Sequence, residues 1–198
     1  GIGHYFVPRY TRVVDTAESK DNINKAYNLI STSKVRNEMI IDDVITCVAR
    51  KQTPVILTRF KEHAKFLHDV LKEKADHVFL LYGDNSDKEN AEIRVKLKQI
   101  PENESLILVA TGQKIGEGFD FPRLDVLMLA APVPFEGRLE QYVGRLNRDY
   151  VGKEAVYVYD YIDSHVRYFD KMYAKRLRTY RKMGFSIWTQ ELQPKQII

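Results

Sequence analysis

A single cysteine in 198 residues, Cys47, excludes an intramolecular disulfide and any cysteine-built zinc cluster. Low-complexity tracts, internal repeats and apolar runs long enough to cross a bilayer are also missing, and the first residues lack the basic-then-apolar pattern of a signal peptide. Together these absences predict a reducing, cytoplasmic address and no membrane partner. No glycine-rich segment ends in Gly-Lys-Ser/Thr, since Gly152-Lys153 is followed by glutamate, so a Walker A loop is lacking; a dinucleotide fingerprint is lacking too. No convergent acid/base pair and no metal-ligand cluster stands out. His63 and His68, five apart on an amphipathic pattern, read as surface residues, which argues against a self-contained group-transferring enzyme and predicts no metal site. The chain starts at Gly1 rather than at methionine, which leads us to expect a cut-out fragment or a tag scar rather than a natural start.

Neither charge sign dominates overall, with a net charge of +4, but the excess is local. Between Ser164 and Lys182 lie Arg167, Lys171, Lys175, Arg176, Arg178, Arg181 and Lys182 against Asp170 alone. Such a basic helix on a nearly neutral body suits a polyanion, or is a solvated face. Its apolar stripe, Val166, Phe169, Tyr173, Leu177 and Tyr180, has the period of a face that packs on a core.

Short β-branched runs alternate with helical patterns along most of the chain. Tyr5 to Val14 reads as a strand or lead-in, and Asp21 to Ser31 and Lys34 to Arg50 as helices, the second with Val35, Met39, Val44 and Val48 along one side. Val55-Ile56-Leu57 is a buried strand, followed by a helix carrying Phe60, Ala64, Leu67 and Leu71. Strands over His77–Leu81, Leu106–Ala110, Val126–Ala130 and Ala155–Tyr161 alternate with helices over Asp87–Lys98 and Gln141–Arg148 and a short turn or helix over Lys114–Gly118. This order predicts a parallel sheet with helices on both faces. Ligands of such sheets gather beyond the carboxyl ends of the strands, at Thr58 and Arg59, Gly83 and Asp84, Thr111 and Gly112, and Pro132 to Glu136. Hydroxyls and a cation there suit phosphodiester oxygens, although a threonine ending a strand also serves as a helix cap.

Two segments carry the chemistry. Gln141-Tyr142-Val143-Gly144-Arg145-Leu146-Asn147-Arg148 places an amide and two guanidiniums at i, i+4 and i+7, on one helical face. Paired guanidinium forks match phosphate oxygens, and Gly144 in mid-helix marks a close approach or a need for space. The alternative is a solvated face paired to carboxylates. Thr111 to Pro122 holds Gly112, Gly116 and Gly118 with Thr111, Lys114 and Asp120 interleaved, a pattern that a tight crossover alone does not require; a carboxylate at 120 can accept from a ribose hydroxyl.

Taken in order, Val55 to Arg59, Leu80 to Gly83, Leu108 to Pro122 and Gln141 to Arg148 resemble motifs IV, IVa, V and VI of the superfamily 2 helicases and translocases, the motifs of their second RecA-like domain. The wording Ile115-Gly116-Glu117-Gly118-Phe119-Asp120 is most similar to the branch of restriction-enzyme motors and excision-repair helicases. The resemblance implies a RecA-like C-terminal domain over 51–163, preceded by a lead-in strand and helices over 1–50 and followed by a basic helix and tail over 164–198. It implies that Arg145 and Arg148 act as arginine fingers on ATP, with Gln141 ordering the helix and the attacking water. Gly116, Gly118, Asp120 and Gly144 would face the nucleotide. Thr58, Arg59, Thr111 and Lys114 would hold the nucleic-acid backbone, with Lys175, Arg176 and Arg178 of the basic helix beside them and DNA favoured over RNA. ATP and Mg²⁺ would be held mainly by a first RecA-like domain, whose Walker A lysine and DExx carboxylates this chain lacks; Asp42-Asp43 falls inside a helical pattern. A domain that keeps the fold only as a nucleic-acid-binding scaffold is the other reading. Phosphoryl transfer needs charge and positioning from both halves of the cleft, so the 198 residues by themselves are expected to show no nucleic-acid-stimulated ATP turnover in a phosphate-release assay.

Overall fold

A computed structural model of the chain describes residues 2–116, 119–133 and 136–188. Seven strands, β1 (Gly3–Tyr10), β2 (Pro54–Thr58), β3 (His77–Leu81), β4 (Leu106–Thr111), β5 (Val126–Leu129), β6 (Ala155–Ile162) and β7 (Ser186–Ile187), form one sheet in the order β3-β4-β2-β5-β6-β1-β7. Every pairing is parallel. The strands are short apolar runs because both of their faces are covered. Val55, Leu57, Leu108, Ala110, Leu127, Leu129, Val156 and Val158 pack on one side, under helices α4 (Asp87–Gln99), α6 (Glu136–Leu146) and α7 (Arg167–Lys182). Ile56, Val109, Met128 and Tyr159 pack on the other, under α2 (Lys34–Ala49) and α3 (Lys61–Leu71). The remaining helices are α1 (Ile23–Thr32), which builds a small third core with the start of α7, and α5 (Gly112–Gly116). Ser86 and Glu89 close a reciprocal capping box at the start of α4, the local signal that starts that helix.

Expected and observed strands agree to within a few residues at their ends, and Cys47 is buried as a core thiol whose pKa burial pushes up to about 12. The stripe on α7 also packs inward: Val166, Phe169 and Tyr180 are buried and Leu177 rests on the core. Three details differ. Strand β1 is flanked by β6 and β7, so the lead-in is woven into the same sheet as the rest. Helix α2 buries Arg36, Ile40, Asp43, Val44 and Cys47 and leaves Val35 66% exposed, a face rotated from the purely apolar one expected. Finally, α6 ends at Leu146, before Arg148.

The rotation of α2 has a cause at the end of β6. Asp163 accepts Nε and Nη2 of Arg36 at 3.0 and 3.1 Å and the Thr11 hydroxyl at 2.5 Å, while Nη1 of Arg36 donates to the Ala130 carbonyl at 2.6 Å. Three residues earlier, Asp160 accepts Nε and Nη2 of Arg176 at 2.7 and 2.8 Å and the Tyr180 hydroxyl at 2.6 Å. All four charged groups are buried. A buried charge left without its partner is costly, so Asp163→Asn or Arg36→Met is expected to lower the unfolding free energy by roughly 3–5 kcal/mol. Urea titration checks this, and Arg36→Met combined with Asp163→Leu should recover much of the loss.

Candidate functional site

Beyond the carboxyl ends of β2, β4 and β5 lies a cleft of about 640 Å³. Thr58, Arg59, Gly83, Thr111, Gly112 and Pro132, all expected from their places after strands, line it. Lys61, Arg138 and Tyr142 line it too, and these the sequence reading missed. Arg138 and Tyr142 sit one turn apart on α6, so the signal available was the continuation of that helix upstream of Gln141. Arg59 is aimed by an aromatic face: its guanidinium lies 4.5 Å from the Tyr27 ring centroid, and the Tyr27 hydroxyl donates to the Pro132 carbonyl at 3.0 Å. Lys61 forms an exposed pair with Asp84 at 3.3 Å. Gly112 has no room for a side chain, because a Cβ there would strike the Tyr142 hydroxyl. The mouth of the cleft therefore carries cations on Arg59, Lys61 and Arg138, with hydroxyls from Thr111 and Tyr142 between them.

Thr58 plays a different part from the one expected. It is buried, and its hydroxyl lies 2.6 Å from Nδ1 of His63, whose Nε2 lies 2.8 Å from Oδ1 of Asn37. Asn37 Nδ2 donates to the Ser31 carbonyl, which orients the amide so that Oδ1 must accept from His63. Nδ1 is then the acceptor, and the single proton of Thr58 goes to it rather than to a phosphate oxygen. His63 is thus not a surface residue. Burial, helped by the nearby Arg36 charge, pushes its pKa down to about 3.

The second cluster sits where the segment after α5 meets the end of α6. Gln141 and Gly144 are exposed and Arg145 is half-buried on α6. Among the described residues, and apart from its chain neighbours and its own helix backbone, nothing lies within 4 Å of the position a Cβ on Gly144 would take. Arg148, beyond the helix end, reaches Asp120 at 3.0 Å, both about half exposed. The three side chains therefore do not share one helical face. Instead the fold delivers Arg148 to the carboxylate of the preceding crossover. Thr111 and Lys114 are half-buried and Gly116 ends α5, whereas Gly118 lies outside the described residues. On α7, Lys175 and Arg178 are exposed, but Arg176 is buried on Asp160 and is withdrawn from any phosphate chain; helical spacing alone did not separate it from its neighbours. No described helix is long and apolar enough to cross a membrane.

The crystal structure of T4 UvsW superposes on 95% of this chain with a TM-score of 0.71 at 18% identity, the chain covering 41% of it. This chain has the fold of the second RecA-like domain of the superfamily 2 helicases. Domain 2 of the DEAD-box helicase Mss116p, solved bound to an RNA duplex, matches this RecA-like domain over 88% of its length with a TM-score of 0.57 at 17% identity, and is itself covered over 60%. In sequence, "Transcript termination protein A18" of Yaba-like disease virus is 30% identical over 138 residues, 67% of this chain and 28% of that protein. "Putative helicase 161L" of Invertebrate iridescent virus 6 is 29% identical over 164 residues, 78% of this chain and 35% of that protein. The RecA-like domain thus spans about a third of the length of these viral relatives. No family model matches it.

The tautomer of His63 has a measurable consequence. In the unfolded chain it protonates below its ordinary value of 6.5, whereas in the folded chain it stays neutral down to about 3, so acid favours unfolding across that window. Urea unfolding at a series of pH values should show His63→Gln destabilised at neutral pH, with its deficit narrowing as pH falls from about 6.5 towards 3.

Proposed function

We propose that this chain is the C-terminal motor half of an ATP-dependent nucleic-acid helicase or translocase. The observation that carries the reading is the pairing of Arg148 with Asp120 just beyond the end of α6, the helix that carries Gln141, Gly144 and Arg145. This donor set fits a nucleoside triphosphate: guanidiniums for the terminal phosphate, a carboxylate for a ribose hydroxyl, and no side chain at Gly144 to obstruct approach. Bound ATP would supply the scissile anhydride, while its other phosphates and Mg²⁺ would be held by a first RecA-like domain. Arg145 and Arg148 would offset charge developing on the transferring phosphoryl group, with Gln141 positioned on the same helix to order the attacking water. The Arg148–Asp120 pair, half exposed, is weak enough to exchange for the ligand.

The cleft at the strand ends supports a separate surface for the track. Arg59, Lys61 and Arg138 around Thr111 and Gly112 suit a phosphodiester backbone read without regard to base, and we assign Lys114 and the exposed Lys175 and Arg178 of α7 to the same track. We favour DNA over RNA as the track and the cytoplasm as the location. The helicase-named relative and the RNA-bound neighbour support nucleic acid as the ligand class. A scaffold without a motor has no use for Arg145 and Arg148 beside an open Gly144.

In the intact protein, Arg145→Ala or Arg148→Ala is expected to cut ATP turnover about a thousandfold or more while the circular-dichroism melt stays near that of the unsubstituted protein. Near-normal turnover of both variants would refute the assignment. Removing Arg59 and Arg138 together should weaken binding to single-stranded DNA and flatten its dependence on salt, each lost phosphate contact reducing the slope of log K against log salt by about 0.7.

A further inference from the structure

Lys153 is a cation that neither proposed surface uses, and it faces inward. Its ammonium donates to three backbone carbonyls: Pro122 at 2.9 Å, Leu124 at 2.7 Å, and Leu146. Pro122 and Leu124 belong to the turn that follows Asp120, and Leu146 is the last residue of α6. The Leu146 carbonyl also accepts the backbone N–H of Arg148 at 2.8 Å, so a single oxygen joins the ammonium to the segment that presents Arg148. Gly152, at φ +80°, makes the turn that returns the chain to this point.

An ammonium has three donors and no acceptor, and here all three have carbonyl partners from two segments. Half-burying it opposes its charge and lowers its pKa, against the supporting charges of Asp125 and Asp149. A cation at the carboxyl end of a helix also meets the negative end of the helix dipole. Arg123 secures the same turn from the far side, donating to the carbonyls of Pro101 at 3.2 Å and Glu104 at 2.5 Å. The turn after Asp120 is therefore held to the body by one guanidinium and to α6 by one ammonium.

We propose that Lys153 is a positioning residue which, by tying the turn after Asp120 to the end of α6, sets the separation of Arg145 and Arg148 from Asp120 and aligns them on one nucleotide. The inference rests on the motor reading of that site. Lys153 touches no ligand; it acts through the carbonyls it gathers. An arginine cannot replace it, since a planar fork does not gather three carbonyls around one nitrogen.

The test uses the intact protein with Lys153→Met, Lys153→Arg and Lys153→Cys, the last before and after alkylation with 2-bromoethylamine, which rebuilds a primary ammonium at nearly the original reach. Loss of alignment by about an ångström predicts a fall in kcat of about 100-fold, with KM for ATP and affinity for single-stranded DNA within about twofold of the original. Lys153→Arg should stay impaired and alkylated Lys153→Cys should recover. Hydrogen exchange read by mass spectrometry should quicken in Lys153→Met over 119–124 and 144–149 together, leaving β2 and β4 unchanged. Unchanged kcat, failure of alkylation to restore it, or exchange that quickens throughout the sheet would overturn the coupling. Absence of turnover in the unsubstituted protein would instead overturn the motor reading on which it rests.

Discussion

Two buried carboxylates at the end of β6, Asp160 and Asp163, hold the layers of this domain to its sheet. Asp163 draws in Arg36 and so fixes the rotation of α2 on one face, while Asp160 draws in Arg176 and Tyr180 and fixes α7 on the other. Ion pairs in such surroundings give up hydration on both sides, and their net contribution to stability is small compared with the cost of leaving one partner alone. Their effect is on geometry: apolar stripes on α2 and α7 tolerate small rotations, and a two-pronged guanidinium–carboxylate contact does not. Arg36 also reaches the Ala130 carbonyl just beyond β5, so the pair bears on the floor of the cleft.

The candidate sites depend on that frame. A parallel sheet brings the carboxyl ends of β2, β4 and β5 to one rim, and the loops leaving them supply Arg59, Thr111, Gly112 and Pro132 to one cleft. Helix α6 then serves two surfaces. Arg138 and Tyr142 line the cleft, and Arg148, just after the helix end, meets the crossover that carries Asp120. A helix contributing to both surfaces offers a rigid route by which occupancy of one can bias the other.

Much of this was legible in the residues. Strand positions followed from Val55-Ile56-Leu57 and its counterparts, because a strand buried on both faces must be apolar throughout and must end at a breaker. The rim residues followed from topology, whereas the single helical face expected for Gln141, Arg145 and Arg148 did not form, because α6 ends at Leu146 and Arg148 turns to Asp120. The failures share a cause, which is that polar side chains with buried partners look like solvated ones. Arg176 resembled Lys175 and Arg178 until Asp160 came within 2.7 Å, His63 resembled His68, and Thr58 resembled Thr111.

The sequence by itself determined the class of fold and the order of strands and helices, since these rest on periodicity and residue type within short windows. Tertiary structure alone decided which cations are available, where α6 stops, that Arg148 meets Asp120, and that Lys153 lies behind them both. Those outcomes turn on distances between residues far apart in the chain, 127 positions for Arg36 and Asp163, and on burial, which sets whether a charge is offered to a ligand or consumed by a partner.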